Sequence, residues 1–82
     1  MQNGYTEGSV VVVPFAGVHA LELRATAAGV VARLRTNNAP NAGYPARVVD
    51  PAAEIIRLQQ ALYAGPAAFA AATARAQPHP ST

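Results

Sequence analysis

The chain has 82 residues, of which 51% are apolar and 12% charged, with six arginines, no lysine, no cysteine and a net charge of +2. That length allows one domain, which buries only a little over ~60% of its unfolded surface. Without cysteine, disulfides and thiolate metal sites cannot reinforce it, and an excess of two charges falls short of the concentrated basic face of a nucleic-acid binder.

The charged fraction is about half the roughly 25% usual in soluble domains. Much of the apolar fraction is alanine, which buries little area per residue. Either alanine and glycine simply lie on the surface, or a partner or a second copy covers it. The all-arginine, Ala- and Pro-rich composition also fits GC-rich coding.

In chain order, residues 1–8 read as a polar, Gly-bearing lead-in. They carry Glu7 and no basic residue, so they do not read as a signal peptide, and no apolar run reaches the ~18 residues of a membrane span. A cytoplasmic location is the default expectation. Residues 9–15, SVVVVPF, give the strongest strand signal, because β-branched residues favour a pleated surface. Four consecutive valines do not alternate, so both faces of the strand should be covered. Pro14 ends the ladder or places it at an edge.

Residues 18–36 support two readings. As a helix, Ala20, Leu23, Ala27, Val30 and Leu34 recur at 3-4 spacing. As strands 19–26 and 30–36, Leu21, Leu23 and Ala25 alternate with Glu22, Arg24 and Thr26, and Ala32 and Leu34 with Arg33 and Arg35. Ala27-Ala28-Gly29 is then a hairpin loop with Gly29 at positive φ. The helix is preferred, although Ala16-Gly17-Val18 offers it no cap.

Residues 37–49 read as a loop built on Asn, Pro and Gly, with Tyr44 pinning it to the core. Asp50-Pro51 then starts a clear helix over 51–64, with Asp50 as N-cap and Pro51 at the first helical position. Glu54 lies one place too late for a capping box. Gly65 and Pro66 end the helix. Its apolar arc holds Ala52, Ile55, Ile56, Leu58, Leu62 and Tyr63, with Glu54, Arg57, Gln60 and Ala61 opposite. Gln59 lies within the apolar arc, where it must find a hydrogen-bond partner or reach water at the rim; a buried polar residue of this kind can set oligomer state. A second helix over 66–77 is almost all alanine around Phe69, and residues 78–82 read as a disordered tail.

The expected fold is therefore mainly α: a strand (9–15) and three helices (18–36, 51–64, 66–77) in one small domain over 9–77. The alternative is α+β, a three-stranded antiparallel meander (9–15, 19–26, 30–36) with a C-terminal helical hairpin. No phosphate loop, nucleophile elbow or zinc-protease motif is present. His19 and His79 lie far apart in sequence, and Asp50 and Glu54 read as helix-start residues. No catalytic, cofactor or metal site is expected, so an enzyme is not the expected reading. The expected function is protein–protein association, as a self-assembling unit or accessory subunit, through Val11, Val13, Phe15, Gln59, Tyr63 and Phe69. The alternative is a small DNA-binding regulator using Arg24, Arg33 and Arg35. A weaker third is an enzyme accessory or inhibitor.

Overall fold

The computed structural model describes residues 8–75. The expected lead-in, apart from Gly8, and the expected tail lie outside the described residues. Five strands and two helices follow in order: β1 (Val10–Ala16), β2 (His19–Thr26), β3 (Gly29–Thr36), β4 (Ala39–Pro40), β5 (Arg47–Val48), α1 (Pro51–Ala64) and α2 (Pro66–Ala74). The strands form one antiparallel sheet in the order β1-β2-β3, and β4 and β5 share the outer edge of β3.

The helix expected over 18–36 is thus a hairpin, and the α+β reading is the correct one. Packing explains why. In the sheet, Leu21 faces Leu34 and Leu23 faces Ala32, and all four side chains are buried. A helix would have left Leu21 outside its apolar stripe, which included two alanines. Local chemistry agrees: Thr26 Oγ1 donates to the Gly29 carbonyl at 2.8 Å and accepts from the Ala28 amide at 3.2 Å, closing the turn. The next turn, Asn37-Asn38, has φ of 54° and 64°. Positive φ at both central residues marks the type I′ hairpin, which matches strand twist and tolerates Asn. Within the expected loop over 37–49, the short strands β4 and β5 are also paired to β3.

Both helices pack on one face of the sheet. The core joins Leu21, Leu23, Ala32 and Leu34 to Tyr44, Val49, Leu58, Phe69 and Ala72, with Val13, Phe15, Ile55 and Leu62 partly buried around it. Helix α1 has the expected bounds, but Asp50 makes no side-chain capping bond. Its carbonyl instead accepts the Glu54 amide at 2.9 Å. The inward face keeps Ile55, Leu58 and Leu62 of the expected arc but is rotated away from the rest of it. Glu54 and Leu58 are buried and Arg57 and Ala61 half-buried, whereas Ala52, Ile56, Gln59 and Tyr63 are exposed. Of the side expected to face water, Gln60 is exposed, while Glu54, Arg57 and Ala61 turn inward, Arg57 to reach α2.

Gly65 ends α1 and starts α2 with φ 135° and ψ 171°, an extended positive-φ conformation. That region is essentially open to glycine only. Its amide reaches the Ala61 and Leu62 carbonyls, both at 3.2 Å, and its carbonyl accepts the Phe69 amide at 3.0 Å. Helix α2 stops at Ala74, short of the expected 77, because Arg75 is extended.

Candidate functional site: the open sheet face and the β1 edge

Strand alternation sends one set of side chains to the helices and the other to a face that no described element covers. Cross-strand register defines the rows of that open face. Val10 pairs with Arg24 and Arg24 with Val31; Val12 pairs with Glu22 and Glu22 with Arg33; Pro14 pairs with Ala20 and Ala20 with Arg35. The three arginines of the DNA-binding alternative are therefore brought together on one surface.

Glu22 sits among them. It receives Arg35 Nη1 at 3.4 Å and lies 3.9 Å from Arg24 Nη2. Arg35 also donates Nη2 to the Asn38 carbonyl at 2.9 Å. Partly exposed pairs of this kind contribute about 0–1 kcal/mol each, so they orient the arginines more than they stabilise the fold. A shallow cleft of about 290 Å³ runs from Glu22, Arg33 and Arg35 to Pro40, Asn41 and Tyr44.

The open face ends at β1, an edge strand. Val10, Val11 and Val12 are 44%, 41% and 52% exposed. This corrects the expectation that the valine run is covered. The face is not apolar throughout, yet β1 itself bears no charge from Val10 to Ala16. Helix α1 lies between α2 and β1. Ala52, Ile56, Gln59 and Tyr63 fall at 4-3-4 spacing on the side of α1 opposite Arg57, which reaches α2. They are therefore turned away from α2, and Tyr63 is 96% exposed.

The expected interface residues divide accordingly. Val11, Gln59 and Tyr63 are exposed. Val13 and Phe15 are partly buried against the core, and Phe69 is a core residue. Phe69 packs on His19 with ring centroids 4.7 Å apart, which withdraws it from any outer surface. Gln59 is exposed, so the rim reading holds for it and it fills no buried polar role.

The main polar cluster is internal. Glu54 is 0% exposed. Arg57 grips it through Nε to Oε1 at 2.9 Å and Nη2 to Oε2 at 2.7 Å, and the Tyr44 hydroxyl donates to Oε2 at 2.8 Å. Arg57 Nη1 also donates to the Ala72 carbonyl at 3.0 Å. Arg47 lies 4.4 Å from the Tyr44 ring centroid, donates Nη2 to the Thr73 carbonyl at 2.9 Å, and reaches the Arg75 carbonyl through Nη1. Burial pushes the Glu54 pKa up, but the bonds from Arg57 and Tyr44 and the charges of Arg57 and Arg47 outweigh it and hold it below the ordinary value. Burial, the bond to Glu54 and the Glu54 charge push the Tyr44 hydroxyl well above its ordinary 10.0. The expectation that Tyr44 pins the loop is met, but its partner Glu54 was expected at a helix start. Glu54 and Arg57 at i, i+3 read in sequence as a solvated helix pair. Only the neighbouring Tyr44 and the alanine helix reveal the burial.

Every bond in this cluster is internal to the fold, so its role is to fasten the 37–49 segment, α1 and α2 together. Tyr44→Phe should lower unfolding stability by about 1.5–3 kcal/mol, the range for a hydrogen bond to a charged group, as read by urea denaturation at pH 7. A loss under 0.5 kcal/mol is inconsistent with that role. The wild-type contribution should persist up to pH 10.0 and fade above it, because the unfolded tyrosine then ionises while the folded one stays protonated.

His19 Nδ1 pairs with Thr36 Oγ1 at 3.0 Å, and Asn41 Nδ2 donates to the same oxygen at 3.1 Å. The imidazole lies between Phe15 and Phe69, a packed and hydrogen-bonded setting. Among the described residues, no three His, Asp or Glu side chains gather as metal ligands, and no helix is long and apolar enough to cross a membrane. No family model, curated protein or solved structure matches the chain.

Proposed function

We propose that the chain is a protein–protein association module that docks through the β1 edge and the adjoining α1 stripe. One observation carries this reading: β1 is an uncharged edge strand with Val10, Val11 and Val12 all exposed. Proteins usually blunt such edges with charge, proline or bulges, because unpaired strand groups recruit another strand. Here Pro14 and the register shift between Pro14 and Ala16 blunt only the second half of β1. The Val10–Val13 half carries no such protection. Ile56 and Tyr63 add exposed apolar area on α1, the helix that touches β1.

Val12→Lys tests this reading by sedimentation equilibrium at micromolar concentration. Wild type should associate and the variant should associate at least tenfold more weakly, a difference of about 1.4 kcal/mol. The far-UV spectrum should not change, because Val12 points away from the core. Equal association of both chains, or a monomeric wild type, contradicts self-association through this edge.

A second reading has its own observation: Arg24, Arg33 and Arg35 share the open face. Such a face can meet phosphates, although Glu22 engages Arg35 and Arg24 there. A filter-binding titration against duplex DNA should then show affinity falling steeply with salt. No binding at low salt removes this reading.

A further inference from the structure

We infer that the occupant of the β1 edge is a second copy of this chain, paired antiparallel about a two-fold axis with Val11 opposite Val11 of the second copy. This rests on β1 being the docking edge. The backbone bonds at the start of β1 supply the register. The Gly8 amide donates to the Ala25 carbonyl at 2.7 Å, and the Ala25 amide donates to the Ser9 carbonyl at 3.0 Å. With Gly8 at φ 92°, this is a G1 bulge, in which Gly8 and Ser9, just before β1, oppose Ala25 of β2. Ser9 therefore turns its bonding groups toward β2. Alternation aims those of Val11 and Val13 the same way, and those of Val10, Val12 and Pro14 outward.

Three antiparallel self-pairings are worth comparing. Centred on Val11, Val10 and Val12 of each copy oppose Val12 and Val10 of the other, giving four hydrogen bonds without using Pro14. Centred on Val12, Val10 opposes Pro14, which has no amide, so each Val10 carbonyl is left facing a proline ring. Centred on Val10, Val12 opposes the Gly8 bulge, whose amide is already committed to Ala25.

Charge points the same way. In the Val11 register, each row across the joint reads Arg24, Val10, Val12 of the second copy, then its Glu22, so opposite charges flank the seam. In the Val12 register, Glu22 of each copy flanks a pair of valines. The spacing is three strands, roughly 14 Å, so this term selects between registers without driving association.

A specific interface needs about 800 Å² per partner, so the valine strand has to be joined by other exposed residues. Tyr63, 96% exposed, offers about 150–250 Å² by itself. The exposed valines, Ile56 and Gln59 add to that. The result is one continuous sheet through both copies. Its open face carries Arg24, Arg33 and Arg35 of each copy on either side of a valine seam.

The absence of cysteine makes the test direct, since each introduced thiol is the only one in the chain. Val10→Cys, Val11→Cys and Val12→Cys are made singly in the full chain and oxidised mildly at micromolar concentration. Residues directly opposite at a non-hydrogen-bonded site have Cα atoms about 4.5 Å apart, within disulfide reach, whereas a two-residue offset exceeds the ~7 Å limit. Val11→Cys should form disulfide dimers at least tenfold faster than the other two. Faster cross-linking by Val12→Cys or Val10→Cys overturns the register. If wild type sediments as a dimer and none of the three cross-links, this arrangement is wrong while association stands. If wild type is monomeric, the association reading itself fails.

Discussion

Arg57→Met should destabilise the fold by about 3–5 kcal/mol, the cost of leaving a buried carboxylate without its cation. A chain of 82 residues has a total stability of about 4–12 kcal/mol, so the loss is a large share of the whole. The cause is specific. Glu54 is fully buried, and two of its three side-chain hydrogen bonds come from Arg57. The substitution should also change the pH dependence. In wild type, the folded pKa of Glu54 lies below its ordinary 4.5. The unfolded state therefore binds more protons in that window, so the contribution is present above pH 4.5 and lost as pH falls through the folded value. Without Arg57, burial opposes only the Tyr44 bond and the more distant Arg47. The folded pKa should then rise above 4.5, and the variant should gain stability on going from pH 7 to pH 5. Urea denaturation at the two pH values checks both parts. A cost under 1 kcal/mol, or a variant with the wild-type pH slope, means that the carboxylate is not held as described.

Leu58→Ala is expected to cost about 2.7–5 kcal/mol, the range for truncating a buried leucine. Leu58 is 0% exposed at the middle of α1, against a core in which Ala32 and Ala72 are among nine buried apolar residues. The melting temperature should fall by roughly 10–40 °C for a domain of this size. Ile56→Ala on the same helix is the control. Ile56 is 54% exposed, so its removal at submicromolar concentration, where association contributes little, should cost under about 1 kcal/mol. Similar losses for the two variants contradict the orientation of α1.

That orientation shows how far sequence reasoning reaches in this chain. The bounds of α1 were legible because Pro51, Gly65 and Pro66 act locally. Its rotation was not, because it depends on Tyr44 and α2 enclosing Glu54 and Arg57, a long-range event that a helical wheel cannot register. The β2–β3 hairpin was legible as one of two readings. Leu23 and Leu34 satisfy both periods, and only the packing that buries Leu21 and Ala32 beside them separates the two readings. Strand β1 was found in place, but its exposure depends on being at the sheet edge, and edge position is a property of topology. The expected interface set mixed Val11, Gln59 and Tyr63 with core residues for the same reason. The grouping of Arg24, Arg33 and Arg35 followed once the hairpin was accepted.

The arginine contacts at the end of α2 have a consequence for how that helix exists at all. Its nine residues are too few for stability alone, and its last turn has no basic side chain of its own. The negative pole of its dipole and its last unpaired carbonyls call for cations. Those cations come from elsewhere: Arg57 from α1 at the Ala72 carbonyl, and Arg47 from β5 at the Thr73 carbonyl. Where α2 stops is thus decided by side chains that reach it from two other elements, and its length is a tertiary property.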